Sequence, residues 1–467
     1  MLTYTFEKNS GISLYEQLYR HIKDDILSGK LTAGEKLPSK RTLAGHLEVS
    51  VITVKNAYEQ LMAEGYIYGI EKRGYYVSSM ERPLQAAAVA RVIPENKEPT
   101  WFLDFVTNSI SAEYFPFTAW AKLMRQTILE QDKALLYAAP YNGAEALRCA
   151  IADYLHQFRG MTVSPEQIIV GAGTEFLYNI LLQLLGRDKV YAVEDPGYSK
   201  ITKIYESNGV SLQRIGLDGS GLSAAQLRQK KADVVHISPS HHYPTGIVMP
   251  IARRQELLRW ASEGEGRYIL EDDYDSEFRF VGRPIPTLFS VDENERVIYL
   301  NTFSKTIAPS IRISFMILPP HLLNEFRQRL GFYSCTVSSF EQYTLASFLS
   351  QGRYEQHLSR MKNRYRQKRD HVIEMIRSGE LSRFAQIMEQ DAGLHFLVRL
   401  TTDLPDQTLR ERAMEQGLRL ALLSDYYSQP EIAPHHVLVV NYSGLDLKKL
   451  PEGLHRLAKI LEEENHV

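Results

Sequence analysis

The first eighty residues show three amphipathic stretches followed by an alternating segment. Apolar side chains recur at helical spacing in each stretch, and the first and third stretches end at Gly29 and Gly65. Residues 66–77 then alternate apolar and polar positions around a turn, which is typical of a β-hairpin. The pattern predicts three helices and a hairpin, with a capping box at Ser13 and a helix N-cap at Ser39.

From Trp101 onward, short apolar runs alternate with segments of helix length. The predicted strands are 167–170, 190–193, 234–238, 268–270, 297–300 and 313–317. Strands separated by helices indicate a three-layer α/β domain with a largely parallel sheet. Ligands of such sheets bind where strands end and helices begin.

Residues 79–100 separate these two parts with three prolines and an alanine run that has no amphipathic period. This composition predicts a linker, so the chain divides into 1–78, 79–100 and 101–467. The net charge of −2, with 44% hydrophobic and 24% charged residues, is ordinary for a globular protein. Two cysteines without metal spacing, no N-terminal signal and no long apolar run predict a cytoplasmic protein.

Three helices and a hairpin compose a winged helix-turn-helix, whose third helix reads the major groove of double-stranded DNA. The pattern places polar residues on the reading helix and basic residues at the second helix and the wing tip. The residues predicted to contact DNA are Lys40, Arg41, Ser50, Thr53, Lys55, Lys72 and Arg73. Acidic and basic residues nearly balance in this segment, so a small protein-interaction module remains an alternative.

Candidate chemistry follows the predicted strands of the larger part. Gly173 and Thr174 form a strand-to-helix turn whose free amides suit a phosphate. Tyr198 follows the next strand and could cover a flat ligand. Asp272 lies in an acidic run that could ligate a metal, form a solvated turn or keep a ring nitrogen protonated, and no histidine–carboxylate spacing supports the metal.

Lys305 lies between small hydroxyl residues after a buried strand, a position that suits a Schiff base. A surface lysine would be the ordinary interpretation if the residue stood alone. Arg312 adds a second cation seven residues later. A phosphate seat, a stacking tyrosine, a carboxylate, a lysine and this arginine, in that order on strand ends, together describe pyridoxal 5′-phosphate.

The N-terminal motifs resemble those of the GntR winged-helix family. They are Leu37-Pro-Ser-Lys-Arg-Thr-Leu-Ala44, Glu64-Gly-Tyr-Ile67 and Arg73-Gly-Tyr-Tyr-Val77. The resemblance implies DNA binding by the third helix. Val51 stands where these domains usually carry an arginine after the serine that opens this helix, so one expected DNA contact is absent or comes from elsewhere.

From Ser109 to its end the chain resembles the fold-type I aminotransferases, which have a large, mostly parallel three-layer domain and a small C-terminal α+β domain. The resemblance implies these roles toward pyridoxal phosphate: Gly173, Thr174, Thr302 and Arg312 for the phosphate, Tyr198 for stacking, Asp272 for the ring nitrogen, Tyr274 for the ring hydroxyl, Lys305 for the Schiff base (internal aldimine), and Tyr137 for a neighbouring subunit's phosphate.

Two departures from that resemblance bear on activity. The segment His241-His-Tyr-Pro-Thr-Gly246 stands where aminotransferases usually have Asn-Pro-Thr-Gly, so Tyr243 replaces an asparagine that holds the ring oxygen. The segment 437–444, where the carboxylate-binding arginine is expected, contains none, and no arginine occurs between Arg419 and Arg456. A transaminase with a standard carboxylate clamp is therefore not predicted.

A winged helix joined to an aminotransferase-like domain is similar to the MocR layout of the GntR family. This resemblance implies a head-to-tail homodimer that regulates transcription in response to pyridoxal phosphate. Because no carboxylate clamp is predicted, the chain is most similar to the PdxR-type regulators of vitamin B6 synthesis, with the cofactor as effector. The alternatives are a regulator that senses an amino acid such as γ-aminobutyrate, and an active aminotransferase with an accessory domain.

Overall fold

The computed structural model describes residues 2–7, 11–79 and 100–463, except residues 109, 111, 132, 281, 283, 284, 390 and 392. The described residues up to 79 belong to one compact unit, and those from 100 onward belong to a second. We call these the N-terminal unit and the C-terminal unit. The predicted linker, 79–100, lies outside the described residues except for its two end positions.

The N-terminal unit contains three helices and a small antiparallel sheet. Its elements are α1 (Leu14–Leu27), β1 (Lys36–Leu37), α2 (Lys40–His46), α3 (Val51–Ala63), β2 (Ile67–Ile70) and β3 (Gly74–Val77). The sheet has the strand order β1-β3-β2. The predicted helices and hairpin are present, whereas β1 was predicted as part of a turn.

Hydroxyl side chains begin two of the three helices. The Ser39 Oγ accepts the amide of Thr42 at 3.2 Å, and the Ser50 Oγ accepts the amide of Thr53 at 3.0 Å. Ser13 makes no capping hydrogen bond with its side chain, so the predicted capping box of α1 does not form. The apolar faces of the three helices meet in one core built from Leu18, Ile22, Leu43, Val54, Ala57, Tyr58 and Leu61.

The C-terminal unit is larger and alternates helices with strands. Its helices are α4 (Phe117–Glu130), α5 (Glu145–Tyr154), α6 (Thr174–Leu185), α7 (Ser199–Ser207), α8 (Ala224–Gln229), α9 (Ile251–Ser262), α10 (Leu288–Val291), α11 (Pro320–Leu330), α12 (Ser339–Ser350), α13 (Arg353–Ser378), α14 (Asp406–Glu415) and α15 (Leu450–Glu462). Its strands are β4 (Leu103–Asp104), β5 (Ile168–Ala172), β6 (Val190–Asp195), β7 (Ser211–Asp218), β8 (Gly221–Leu222), β9 (Val234–Ile237), β10 (Tyr268–Asp273), β11 (Val297–Thr302), β12 (Ile313–Ile317), β13 (Ala385–Met388), β14 (His395–Leu400), β15 (Leu418–Arg419) and β16 (Val437–Asn441).

The central sheet has the strand order β5-β12-β11-β10-β9-β6-β7-β8. Strands β6, β7, β9, β10 and β11 run parallel, and β12 is antiparallel to both of its neighbours. Separate apolar clusters cover the two faces of the sheet, and α4, α5 and α12 contribute to one of them. The carboxyl ends of the five parallel strands therefore meet at one edge, where a ligand can bind.

A smaller α+β subdomain follows the central sheet. Its antiparallel sheet has the order β13-β14-β16, and α13, α14 and α15 pack on it around a continuous apolar cluster. Strand β15 pairs in parallel with β4, from the start of the unit. This pairing brings residues near 104 and 419, distant in sequence, to the same edge of the unit.

None of the helices within the described residues combines the length and apolar character needed to cross a membrane.

Candidate ligand cavity and nucleic-acid interface

A cavity of about 610 Å³ opens at the carboxyl ends of the parallel strands. Among the residues that line it are eight of the ten predicted cofactor contacts: Lys305, Asp272, Tyr274, Tyr198, Thr174, Thr302, Arg312 and Tyr243. Gly173 directly precedes the lining residue Thr174. Tyr137 does not line the cavity, and its side chain is 75% exposed.

The alternation of side chains along β10 determines which of residues 271–274 face this cavity. Side chains alternate between the two faces of a strand, so Asp272 and Tyr274 share one side. Glu271 instead accepts backbone amides at the start of α10, and Asp273 is paired with Arg159. Of these four consecutive residues, one carboxylate and one phenol are thus presented to a ligand.

One carboxylate oxygen of Asp272 accepts hydrogen bonds, and the other has no partner among the described residues. Its Oδ2 accepts the Tyr178 hydroxyl at 2.5 Å and lies 3.4 Å from the His236 Nε2. Burial, and then the charge of Asp272, raise the pKa of Tyr178, so this hydroxyl remains a donor. The Oδ1 is buried and has no hydrogen-bond partner among the described residues. It is therefore suited to accept a charged N–H from a ring.

Lys305 lies in the turn after β11 and donates its Nζ to the Asn108 carbonyl at 3.3 Å. Burial lowers the pKa of its amine, and the charge of Asp275 opposes this only in part. A larger fraction of the amine is then unprotonated and nucleophilic at neutral pH.

Thr302 braces the same turn. Its hydroxyl oxygen accepts the Ser304 amide at 3.1 Å and the Ser314 hydroxyl at 2.8 Å. These bonds fix the backbone that carries Lys305. They also engage the oxygen that was predicted to bind phosphate.

Helix α6 begins beside the cavity with Gly173 as its N-cap, at a positive φ of 90°. A Cβ at this position would lie 2.2 Å from the Arg312 Nη2, so a larger residue would displace the guanidinium, and the positive φ favours glycine. The N-terminal amides of α6 and the Arg312 guanidinium adjoin one another here. Both favour an anion such as a phosphate.

Glu175 occupies the same helix start and holds two cations. Arg312 donates to its Oε2 at 2.5 Å, and Lys200 donates to its Oε1. Burial raises the pKa of this carboxyl, but the hydrogen bonds from Lys200 and Arg312 outweigh burial and lower it to about 2. The carboxylate is therefore charged, and the two cations and Glu175 together carry one net positive charge.

Tyr243 belongs to an aromatic group at the other side of the cavity. Its hydroxyl lies 2.8 Å from that of Tyr426, and its ring stands perpendicular to Tyr198 with centroids 6.0 Å apart. His395 packs edge-on against the same ring at 4.9 Å. The tyrosine that replaces the expected asparagine is thus held by Tyr198, which the sequence predicted for the site, and by Tyr426 and His395, which it did not.

A buried histidine–carboxylate cluster adjoins this group. The Nδ1 of His241 lies 3.0 Å from the Asp275 Oδ2, and the Nε2 of His395 lies 3.1 Å from the Pro244 carbonyl. Within the described residues, His241, Asp275 and His395 bring ligand atoms within 4.8 Å of one another. The sequence spacing gave no sign of this cluster, because its members come from three separate segments.

Glu194 and His242 form a second pair that sequence reasoning missed. The His242 Nε2 lies 3.5 Å from the Glu194 Oε2, and both residues line the cavity. Burial raises the pKa of Glu194 to about 8 and lowers that of His242 to about 3. Both side chains are therefore mostly neutral at neutral pH.

Arg419 also lines the cavity, although it lies on β15 and not on β16. Its Nη1 lies 3.2 Å from the Asp104 Oδ2 and 3.4 Å from the Thr107 hydroxyl. The sequence gave no signal for this placement, since it depends on the pairing of β15 with β4. A guanidinium is thus available in the cavity from a different strand than expected.

The N-terminal unit presents most of its predicted DNA contacts at the surface. Arg41, Lys72 and Arg73 are exposed, and Lys40 lies over the Tyr75 ring with its Nζ 5.2 Å from the centroid. Lys55 is exposed on α3, 3.6 Å from a glutamate one turn later.

Ser50 and Thr53 are partly engaged with each other. Their hydroxyl oxygens lie 2.8 Å apart, in addition to the capping bond described above. The start of α3 also exposes two apolar side chains, Val51 and Ile52.

Comparison with known proteins gives two family matches. Residues 14–77 match "Bacterial regulatory proteins, gntR family", and residues 103–428 match "Aminotransferase class I and II". Two relatives are similar over most of their length. The chain is 36% identical to the HTH-type transcriptional regulator YdeL of Bacillus subtilis, covering 98% of both chains. It is 31% identical to the pyridoxine biosynthesis regulator PdxR of Corynebacterium glutamicum, covering 89% of both.

Among solved structures, the kynurenine aminotransferase of Pyrococcus horikoshii is similar with a TM-score of 0.68. The identity is 23%, and the match covers 78% of this chain and 92% of that one. A similarity at this identity shows the fold of the C-terminal unit alone.

Proposed function

Because this chain belongs to the GntR-family transcription regulators of the MocR type, in which a DNA-binding winged helix precedes an aminotransferase-like domain, we propose that pyridoxal 5′-phosphate is its effector. The cofactor binds at Lys305 and changes the affinity of the winged helix for operator DNA. The proposed target is a set of vitamin B6 biosynthesis genes. The name of the PdxR relative, a pyridoxine biosynthesis regulator, supports this choice.

The observation that carries the proposal is the buried Asp272 Oδ1, which lacks a hydrogen-bond partner among the described residues and belongs to the cavity that Lys305 also lines. A buried carboxylate oxygen without a donor is costly, and a protonated ring nitrogen would satisfy it. When bound, pyridoxal phosphate supplies an aldehyde that a lysine amine can hold covalently.

Each group of the chain then has a defined task. Asp272 keeps the ring nitrogen protonated, and the partly desolvated Lys305 amine provides the nucleophile. The amides after Gly173 and the Arg312 guanidinium receive the phosphate. Tyr198 and Tyr274 contact the ring and its hydroxyl. The residues fit the cofactor without a further cation.

The test is a comparison of DNA binding with and without the cofactor. Full-length protein is titrated with pyridoxal phosphate, and its binding to DNA upstream of B6 biosynthesis genes is measured at fixed salt. We expect ligand-dependent binding in the wild type and its loss in Lys305→Ala. Lys203→Ala serves as the matched control, because Lys203 is exposed on α7 and does not line the cavity. Ligand-dependent binding that survives in Lys305→Ala would reject the proposal.

A second candidate function is favoured by Arg419. The sequence prediction rested on the absence of an arginine from 437–444 and from all positions between Arg419 and Arg456, but Arg419 itself, on β15, lines the same cavity. A guanidinium there could bind the carboxylate of a second ligand such as γ-aminobutyrate. In that case the effector is the cofactor together with an amino acid.

The absorbance of the cofactor-loaded protein distinguishes the two candidates. If the cofactor alone is the signal, the visible band stays unchanged under a panel of amino acids. If one amine shifts the band, that amine is the effector, and Arg419→Ala is expected to weaken its binding about tenfold or more, because a charge-assisted hydrogen bond is lost. Continuous amino-group transfer to a keto acid would instead support an active aminotransferase.

We further propose that the protein is a head-to-tail homodimer. The segment before α5 supports this, because it exposes Leu136 and Tyr137 at 83% and 75%. In a dimer, Tyr137 would reach the phosphate held by the neighbouring subunit. Sedimentation velocity of the cofactor-loaded protein measures the oligomeric state, and absorbance titration of Tyr137→Phe measures cofactor affinity. A monomer in the first experiment, together with an unchanged affinity in the second, would contradict the proposal.

A further inference from the structure

The outward face of α3 begins with two apolar side chains. Val51 and Ile52 are 46% and 68% exposed, and Ile52 is the most exposed large hydrophobic residue among positions 2–79 that the structure describes. The core of the unit is supplied by the opposite face, through Val54, Ala57 and Leu61. Val51 and Ile52 therefore add little to the stability of the fold.

Helix propensity gives no reason for these residues either. β-Branched side chains lose rotamer freedom in a helix, and exposed ones also place apolar surface in water. The exposed positions that follow on the same face are Lys55 and Asn56, which are polar. The apolar character is thus confined to the first turn of the helix.

The first turn of the reading helix is the part that approaches base edges in a helix-turn-helix. The polar residues there are committed elsewhere, since the Ser50 and Thr53 hydroxyls bond to each other and Ser50 caps the helix. In the major groove, the base feature that an aliphatic side chain can recognise is the C5-methyl group of thymine. Guanine, by contrast, is recognised by a bidentate arginine or lysine.

We infer that Val51 and Ile52 read thymine methyl groups, so that the operator carries A·T pairs where the N-terminus of α3 meets the major groove. Val51 stands where similar domains usually carry an arginine, so the chain presents an apolar contact at this position. The neighbouring cations Lys40 and Arg41 hold the phosphates and contribute no sequence preference. This inference concerns DNA specificity and stands independently of the proposed effector.

The experiment first identifies the preferred DNA and then removes single methyl groups. Full-length protein is used to select binding sites from a random duplex pool at fixed salt. Each thymine of the selected site is then replaced by uracil, which pairs identically and lacks only the C5-methyl. We expect affinity to fall about three- to five-fold for each contacted methyl, because one buried carbon group is lost.

Variants assign the effect to the two side chains. For one base pair of the site, Ile52→Ala should bind the duplex with thymine and the duplex with uracil with equal affinity. Val51→Ala should show the same loss of discrimination, at that base pair or at another. Leu27→Ala is the matched control, because Leu27 is 47% exposed at the end of α1 and should leave the thymine preference unchanged. All three positions are exposed, and circular dichroism melting verifies that the variants fold.

Three outcomes overturn the inference. The first is a selected site without thymine, or a selection that enriches no motif. The second is uracil DNA that binds as tightly as thymine DNA at every position. The third is an equal loss of affinity for thymine and uracil DNA in the two α3 variants, which would assign the side chains to a contact other than the methyl group.

Discussion

Glu194 and His242 lie 3.5 Å apart in the cavity wall, and burial moves their pKa values in opposite directions. Neither side chain carries a full charge near pH 7, so neither competes with the groups that face the ligand. The formal charges at the cavity are then those of Asp272, Glu175, Lys200, Arg312, Arg419 and, when protonated, Lys305. A ligand with a dianionic end and a cationic ring fits this distribution.

The raised pKa of Glu194 predicts a pH dependence of stability. Below pH 4.5 the carboxyl is protonated in both the folded and the unfolded state, and its contribution to stability is fully present. As the pH rises from about 4.5 to about 8, the unfolded state releases the proton first, so stability is lost. Relative to Glu194→Gln, the wild type should lose up to about 1.4 kcal/mol of unfolding free energy per pH unit in this window.

Urea unfolding followed by tryptophan fluorescence measures this loss. Trp101, Trp120 and Trp260 are the three tryptophans of the chain, and all lie in the C-terminal unit. The Gln variant keeps an acceptor for the Ser238 amide, which Glu194 binds at 2.9 Å. Parallel pH curves for the two proteins would show that Glu194 is ionised in the fold.

The sequence could place Asp272 and Lys305 because each lies at or shortly after the end of a buried apolar run. The carboxyl ends of parallel strands converge, so local sequence was enough to bring these residues into one site. Arg419, Asn108 and Tyr426 also line the cavity, yet they come from segments far apart in the chain. No local pattern encodes that convergence, because it depends on the packing of the small subdomain.

At the scale of elements, hydrophobic runs predicted where strands lie but not how they run. Strand β12 is buried along its whole length, as β11 is, and it is antiparallel to both neighbours. A fully buried strand shows no alternation in either orientation, so its direction was not readable. Strand β1 was not predicted because a strand of two residues is too short to show an alternation of apolar and polar positions. Ser13 shows that a sequence with the pattern of a capping box need not form the capping hydrogen bond.

The start of α6 supports a prediction with a close internal control. Gly173→Ala places a Cβ 2.2 Å from the Arg312 Nη2, so the cation must move and the phosphate seat is distorted. Gly209 also has a positive φ, of 69°, but a Cβ at this position would have no heavy atom within 4 Å. Gly209→Ala therefore adds backbone strain without a clash.

We expect Gly173→Ala to weaken pyridoxal phosphate binding about tenfold or more, since a positioned cation and a helix terminus are both disturbed. Gly209→Ala should leave the affinity near that of the wild type. Absorbance titration of both variants measures the difference. Equal affinities would show that the ligand does not use this turn.

At the scale of the whole molecule, the chain forms two separate compact units. A ligand that binds only the folded C-terminal unit must stabilise that unit by mass action, by about 2.7 kcal/mol at a free concentration one hundred times its Kd. We expect pyridoxal phosphate to raise the urea midpoint followed by tryptophan fluorescence. Lys305→Ala should reduce this shift, and an unchanged midpoint in the wild type would argue against binding.

The sequence predicted a DNA-binding part and a ligand-binding part, because each part carries its own periodicity and motif set. Predicting the central sheet required only the alternation of helix-length and strand-length segments along the chain. The proposed coupling between ligand binding in one unit and DNA binding by the other could not be predicted in detail from the sequence, since such coupling depends on the relative stability of two arrangements of the whole protein.

The double pairing of Glu175 with Arg312 and Lys200 bears on how tightly this cavity holds a phosphorylated ligand. An incoming phosphate must compete with a resident carboxylate for the same cations, so part of the attraction is already spent before binding. A lower affinity moves half-saturation of the cavity to a higher free concentration of ligand. If pyridoxal phosphate is the effector, as proposed, the occupancy of the site then still changes at concentrations that would saturate a cavity without this carboxylate.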